Sequence, residues 1–465
     1  MANLDAMHRR AFLKRAGAVS ALGAGAPLAL NLAAAGEAAA FTATDYKAIV
    51  CVFLYGGNDY ANTVIPYDAT NYALYEKLRA AVALKRPALA ATALTPKTPQ
   101  TLTDNLQFAL APELKQLKSL WDSAQCAIQL NVGPLVVPTT LTQYKSADRK
   151  INPLPPKLFS HNDQQSVWQS LGAEGTTIGW GGRLGDLALS SNTTSSLTCI
   201  SASGNAVFVS GDTIVPYQIS PGGVSPIYSA TYDFYGTSMA ATMKTLITQS
   251  SSNILENEFA NVTKRALDLQ FLVANALKPV TITTPFNIDG QDNRLADQLS
   301  IVAKLIAARG TLGSKRQVFF VSLGGFDNHD NLLKDHSVLM AKVDEAIGQF
   351  YKATVELGIQ NSVTTFTASD FGRTLAANSD GSDHGWGGHH FIIGGAVKGG
   401  QFYGKAPSVS ITTDDQVGEG RLLPTTSVDQ YAATLARWFG VSDSELPSVL
   451  PRIGNFATSN VGFMA

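Results

Sequence analysis

The chain has 465 residues, 45% of them hydrophobic and 15% charged, with a formal net charge of −1. That length supports one large domain or two ordinary ones. The near-neutral balance carries no electrostatic footprint for nucleic acid. No run of about 18 apolar residues follows the first 40, so no stable membrane span is expected.

At the N-terminus, Arg9-Arg10-Ala11-Phe12-Leu13-Lys14 matches the twin-arginine export pattern. An Ala/Gly/Leu stretch over 16–35 follows, with small residues at Ala38 and Ala40. Residues 1–40 therefore read as a signal peptide, and 41–465 as a single mature domain. The expected partner is the twin-arginine export machinery, and the expected location is periplasmic or secreted. Of the three cysteines, Cys51 and Cys126 lie in apolar runs and read as buried free thiols.

Residues 47–55 form a near-continuous apolar run, the pattern of a strand buried on both faces. It runs into Gly56-Gly57-Asn58-Asp59, which places a carboxylate just past the strand's end. Helices are expected over 72–82 and 112–121, and a strand over 124–132. After a Pro-punctuated loop, Ser160 fits an N-cap with Asp163 at the third helical position. A helix N-terminus also suits an anion or an activated hydroxyl. Another helix opens at 179–183. Residues 190–235, rich in Ser, Thr, Gly and β-branched types, read as an antiparallel excursion or lid over the sheet. Helices follow over 254–277 and 294–309.

Residues 317–323 repeat the opening pattern, a buried strand followed by Gly324-Gly325-Phe326-Asp327-Asn328-His329. A helix over 332–357 leads to a strand over 363–367 and then to Asp370. Three strands thus each deliver an Asp at the carboxyl end: Asp59, Asp327 and Asp370. Ligands of α/β proteins gather outside that edge. The stretch 370–390 adds Arg373, Asp383, His384, His389 and His390, three of the chain's seven histidines within seven residues. Carboxylate with imidazole points to a divalent cation, Zn²⁺ or Mn²⁺ before Ca²⁺, which prefers oxygen alone. Neighbouring residues entering a strand face opposite ways, so His389 and His390 cannot both reach one ion. His384 and His390 are the expected late ligands. Thr426 or Ser427 caps a last helix that ends at Gly440.

Seven segments together resemble the exported family called domain of unknown function 1501. They are GGNDYANTVIPYD (56–68), SHNDQQSVW (160–168), IGWGGRLGD (178–186), SLGGFDNHDN (322–331), SDFGRT (369–374), DHGWGGHHFIIGGAVKGG (383–400) and LPTTSVDQYAATLARWFG (423–440). That family in turn resembles the alkaline-phosphatase and sulfatase superfamily. The resemblance implies an α/β fold, a mostly parallel sheet flanked by helices, with a metal site at its carboxyl edge. It implies Asp59, Asp327, His329, Asp370, His384 and His390 as metal ligands. Ser160 is the implied nucleophile, Arg373 an oxyanion clamp, and Phe371 stands where that superfamily has a His. The expected activity is metal-dependent hydrolysis of phosphate or sulfate esters, on a small-molecule or polymer substrate. The rival expectation is a non-catalytic envelope protein that keeps the fold and binds a ligand or partner.

Overall fold

The computed structural model describes residues 43–233, 238–288, 290 and 292–465. The expected signal peptide therefore lies outside the described residues. A nine-stranded sheet crosses the molecule. Its strands are β1 (Lys47–Tyr55), β2 (Cys126–Gly133), β3 (Cys199–Ser201), β4 (Tyr217–Gln218), β5 (Arg316–Gly324), β6 (Val363–Ser369), β7 (Gly388–Ile393), β8 (Phe402–Tyr403) and β9 (Thr426–Ser427). The spatial order is β8-β2-β7-β6-β1-β5-β3-β4, with β9 also paired to β2. Every pairing is parallel except those of β7, which runs antiparallel to β2 and β6.

Alternate residues of β1 go to opposite faces, and both faces are buried. Val50, Val52 and Leu54 join one core, with Phe319 and Val321 of β5. Helices α6 (Arg294–Ala307) and α7 (Leu332–Glu356) cover it through Leu299, Val302, Ile306, Met340, Val343 and Ile347. Ile49, Cys51 and Phe53 join the other, with Phe320 and Phe366. Helices α3 (His161–Ser170), α4 (Trp180–Ala188) and α8 (Val428–Phe439) cover this face through Trp168, Leu184, Tyr431 and Leu435. Each such side chain contributes about 1.5–3 kcal/mol by burial, which explains why these strands carry no polar alternation. Further helices include α1 (Ala69–Leu78), α2 (Lys115–Asp122) and α5 (Ile254–Leu277), with another over Met239–Ile247 before α5. All three cysteines are buried and free. No helix of the described residues is long and apolar enough to cross a membrane.

The stretch 190–235 departs from expectation. It contributes β3 and β4, which extend the main sheet in parallel rather than forming an antiparallel layer over it. The reason lies in burial: Ile200 packs into one core and Cys199 into the other, so this short strand must lie in the sheet plane.

Parallel register sets the site. Tyr55 pairs with Gly324, and Leu54 with Ser369, so β1, β5 and β6 end at one level. The segments that follow, 56–59, 325–331 and 370–372, emerge side by side. A hairpin of Arg373–Ala377 and Ser382–His384 then leads into β7, whose reversed direction starts it at the same edge.

Candidate metal centre

Four side chains meet at that edge. Asp327 comes from the segment after β5, His384 from the end of the hairpin, and His161 is the first residue of α3. The ligand atoms of these three lie within 4.8 Å of one another. His329, from the same segment as Asp327, completes the group. His161 Nε2 is 3.0 Å from His384 Nε2, and His329 Nε2 is 2.9 Å from it. Asp327 reaches all three imidazoles: Oδ2 is 3.4 Å from His161 Nε2, and Oδ1 is 3.1 Å from His329 Nε2 and 3.3 Å from His384 Nε2.

The partners of the other ring nitrogens fix the tautomers. His384 Nδ1 lies 2.7 Å from the Phe159 carbonyl oxygen, which can only accept, so Nδ1 carries the proton. His161 Nδ1 donates to Asp370 Oδ2 at 2.7 Å, and His329 Nδ1 to Asp383 Oδ1 at 3.2 Å. Each neutral imidazole then turns an Nε2 lone pair inward. Three lone pairs and a carboxylate facing one another repel unless a cation lies among them. Histidines that bind metals show this same outer arrangement, the second nitrogen held by a carboxylate or a backbone carbonyl. The residues therefore fit a divalent ion.

Charge points the same way. Arg373 donates to Asp327 Oδ1 at 2.7 Å, while Asp370 and Asp383 are taken by His161 and His329. Partial burial works to raise the Asp327 pKa, but the Arg373 hydrogen bond and charge, with the histidines, hold it below the ordinary carboxylate value. The hydrogen bond to Asp370 raises the His161 pKa against burial, while burial lowers that of His384. The site is open: the side chains of Asp327 and His329 are 46% and 44% exposed, those of His161 and His384 26% and 27%.

Local sequence explains the placement. Gly56 and Gly57 have φ of +115° and +82°. A Cβ on Gly56 would run into the backbone of Phe326 and Asp327, and one on Gly57 into the Phe371 ring. Only glycine lets these segments close together. Phe371 in turn packs on both His161 and His384, with ring centroids 4.9 and 4.8 Å away. This departure from the superfamily's His thus lays an apolar floor under two of the clustered histidines. Phe159, with φ +71°, holds a left-handed backbone that bulky residues avoid, and its carbonyl receives the His384 proton.

The family described as "Protein of unknown function (DUF1501)" matches residues 46–447. The chain belongs to that family. No curated protein matches it. Among solved structures, this DUF1501 chain is similar to the PsFucS1 sulfatase from Pseudoalteromonas sp. at 12% identity, covering 88% of this chain and 70% of that one, with TM-score 0.35. The lipoteichoic acid synthase LtaP from Listeria monocytogenes gives 10% identity, 87% and 74% coverage, and TM-score 0.35. The soluble domain of lipooligosaccharide phosphoethanolamine transferase A from Neisseria meningitidis gives 9% identity, 88% and 93% coverage, and TM-score 0.30.

Of the residues expected from sequence, the DUF1501 chain brings Asp327, His329 and His384 together. Asp370 stands behind His161 as its hydrogen-bond acceptor, also accepting from Gln165 Nε2 at 2.8 Å and Gly56 N at 3.2 Å. Asp59 lies elsewhere. It is fully buried against Arg79, which also donates to the carbonyls of Thr374 and Leu375 at 3.0 and 3.1 Å. His390 is not a ligand either. Entering β7, it packs beside Trp168 and Tyr431, while His389 packs on the opposite face beside Tyr60 and Phe108. Arg373 is no free clamp: it is fully buried and donates to Gly56 O at 3.0 Å and to Ser382 as well as to Asp327, so it positions that carboxylate. Ser160 caps α3 by position, but its Oγ donates to Asp163 Oδ2 at 3.0 Å. His161 was missed, since Ser160 beside it drew the reading. Its signal was context: His161, His329 and His384 sit among polar and glycine residues, whereas His389 and His390 enter the apolar run 391–393.

Proposed function

We propose that this protein is an exported, metal-dependent hydrolase of phosphate or sulfate esters, working in the periplasm or outside the cell after twin-arginine export. The observation that carries the reading is the convergence of three imidazole Nε2 atoms and Asp327 on a solvent-open edge, with every Nδ1 hydrogen-bonded away. Nitrogen donors with one carboxylate suit Zn²⁺ or Mn²⁺. When bound, such an ion supplies Lewis acidity toward the charged oxygens of the ester.

The chain's own residues supply the rest. Asp370, Asp383 and the Phe159 carbonyl hold the three imidazoles in one tautomer. Arg373 fixes Asp327. The proposed nucleophile is Ser160, one residue before His161 at the head of α3, whose hydroxyl proton already has an acceptor in Asp163 Oδ2. The bond from Ser160 Oγ to phosphorus or sulfur would form, its proton passing to Asp163, as the bond to the ester oxygen breaks and the alkoxide leaves as the alcohol by taking a proton from water. A second water would then hydrolyse the phospho- or sulfo-serine and free phosphate or sulfate. The second reading, a metal-binding envelope protein without catalysis, is favoured by one observation: Arg373, the expected clamp, is enclosed and engaged by Asp327, Gly56 and Ser382 rather than open to an anionic ester.

A panel of aryl phosphates and sulfates, tested on protein carrying its native metal, separates the two. The hydrolase reading expects turnover of at least one ester, lost in His161→Ala and in Ser160→Ala. Absence of turnover from metal-loaded protein supports the binding reading. Full turnover in Ser160→Ala removes that residue from the mechanism.

A further inference from the structure

Beside the metal centre lies a second concavity of about 550 Å³, within the ordinary size range of small-molecule sites, about 300–1,000 Å³. One wall is α3. Asn162, Gln165 and Gln169 line it together with a serine at position 166. These positions are spaced three, four and seven along the helix and so share one face, while Val167 and Trp168 are buried in the core. A polar helix stripe is ordinarily a solvated surface. This one instead looks across at a second wall that includes Asn205, over a floor at 174–177. Gln169 spans the walls: its Nε2 donates to Tyr55 Oη at 3.3 Å and its Oε1 accepts from Phe208 N at 3.2 Å.

The lining chemistry is narrow. It holds four carboxamides, several Ser and Thr hydroxyls, the Tyr55 ring and an apolar strip of Ala206, Val207 and Pro216, with no Lys, Arg, Asp or His. Its single carboxylate, Glu174, faces Lys157 at 3.4 Å. A carboxamide both donates and accepts, as an alcohol does, so amides in a row match a ligand presenting many hydroxyls and no charge. Gln165 joins this cleft to the metal centre, because its Nε2 donates to Asp370 Oδ2 at 2.8 Å. With that donor engaged, Gln165 Oε1 has no protein donor among the described residues.

We propose that this cleft binds a neutral, polyhydroxylated group, a sugar ring or short oligosaccharide, and holds the alcohol portion of the ester whose charged end meets the metal. The assignment of the two ends rests on the hydrolase reading, but unesterified sugars test the cleft on its own. The full chain, carrying its metal, is titrated calorimetrically with neutral hexaoses of glucose, galactose and mannose. The expected result is saturable binding of at least one, weakened about tenfold or more in the Asn162→Ala, Asn205→Ala double variant by loss of neutral hydrogen bonds, with metal content unchanged. Asn162 is exposed, so Asn162→Ala alone decides the matter if the double variant does not fold. No saturable binding of any hexaose, binding indifferent to the variants, or binding of a neutral glycine–serine peptide in place of every sugar overturns the proposal. Loss of ester turnover with sugar binding intact fails the hydrolase reading and leaves the cleft standing.

Discussion

Asp370→Asn is the most informative single change, because it removes one charge and almost no volume. The Asp370 carboxylate is fully buried, and its Oδ2 receives His161 Nδ1, Gln165 Nε2 and Gly56 N at 2.7, 2.8 and 3.2 Å. Asparagine keeps one acceptor oxygen for the His161 proton, so the ring stays in place. What is lost is the charge that makes Nε2 a better donor. Replacing such an outer partner typically weakens metal binding about 10–100-fold, or about 1.4–2.7 kcal/mol. Linkage turns this into a melting experiment. Free metal at 100 times the parent Kd stabilises the parent by about 2.7 kcal/mol. The same concentration would stabilise the variant by only about 0.4–1.4 kcal/mol. Chelator-competition titration gives the two Kd values, and urea melts with and without metal give the two increments. Asp383→Asn should do less, since its bond to His329 is longer, 3.2 Å, and its side chain is 40% exposed. A Kd for Asp370→Asn within about twofold of the parent would refute the assignment of His161 as a ligand backed by Asp370.

Arg79→Leu should destabilise the fold by about 3–5 kcal/mol, because it leaves the Asp59 carboxylate buried without its partner. Metal affinity should not change, and a folded Arg79→Leu protein that has lost its metal would return Asp59 to the site. Burial pushes the pKa of His336 down to about 4, of His389 to about 4 and of His390 to about 3. Their contribution is complete above about pH 6.5, where folded and unfolded chains are both neutral, and falls as the unfolded chain alone takes up protons. Below about pH 5.5 the loss approaches about 4 kcal/mol per pH unit for three such groups, and a urea midpoint that stays flat from pH 6.5 to about 4.5 would contradict it. Replacing Arg9 and Arg10 together with Lys should leave precursor in the cytoplasm on fractionation, and normal export of that variant would remove the twin-arginine assignment.

The sequence revealed what local pattern controls. Apolar runs too long for alternation marked β1 and β5, because these strands bury both faces, while a short β-branched and aromatic run marked β6. The Gly-Gly pair after β1 marked backbone free to approach a ligand; what Gly56 approaches is the backbone of Phe326 and Asp327. The helix over 254–277 was legible in its bounds, and of the two cap candidates Thr426 and Ser427 the structure uses Ser427, in a box with Gln430. What failed depended on distant partners. Nothing near Asp59 announces that Arg79 folds back over it, nor that His161 meets Asp370 from 209 positions away. Strand alternation correctly sent His389 and His390 to opposite faces. It could not say that both faces there are packed core. The excursion at 190–235 was misplaced because short Ser- and Thr-rich strands look alike whether they pair parallel or antiparallel.

The central claim is that His161, His329, His384 and Asp327 hold one divalent ion. Elemental analysis of the purified protein tests it directly. The account predicts close to one equivalent of zinc or manganese per chain in the parent, and none in a folded His161→Ala, His384→Ala double variant. No stoichiometric metal in the parent, or equal metal in parent and variant, would contradict it.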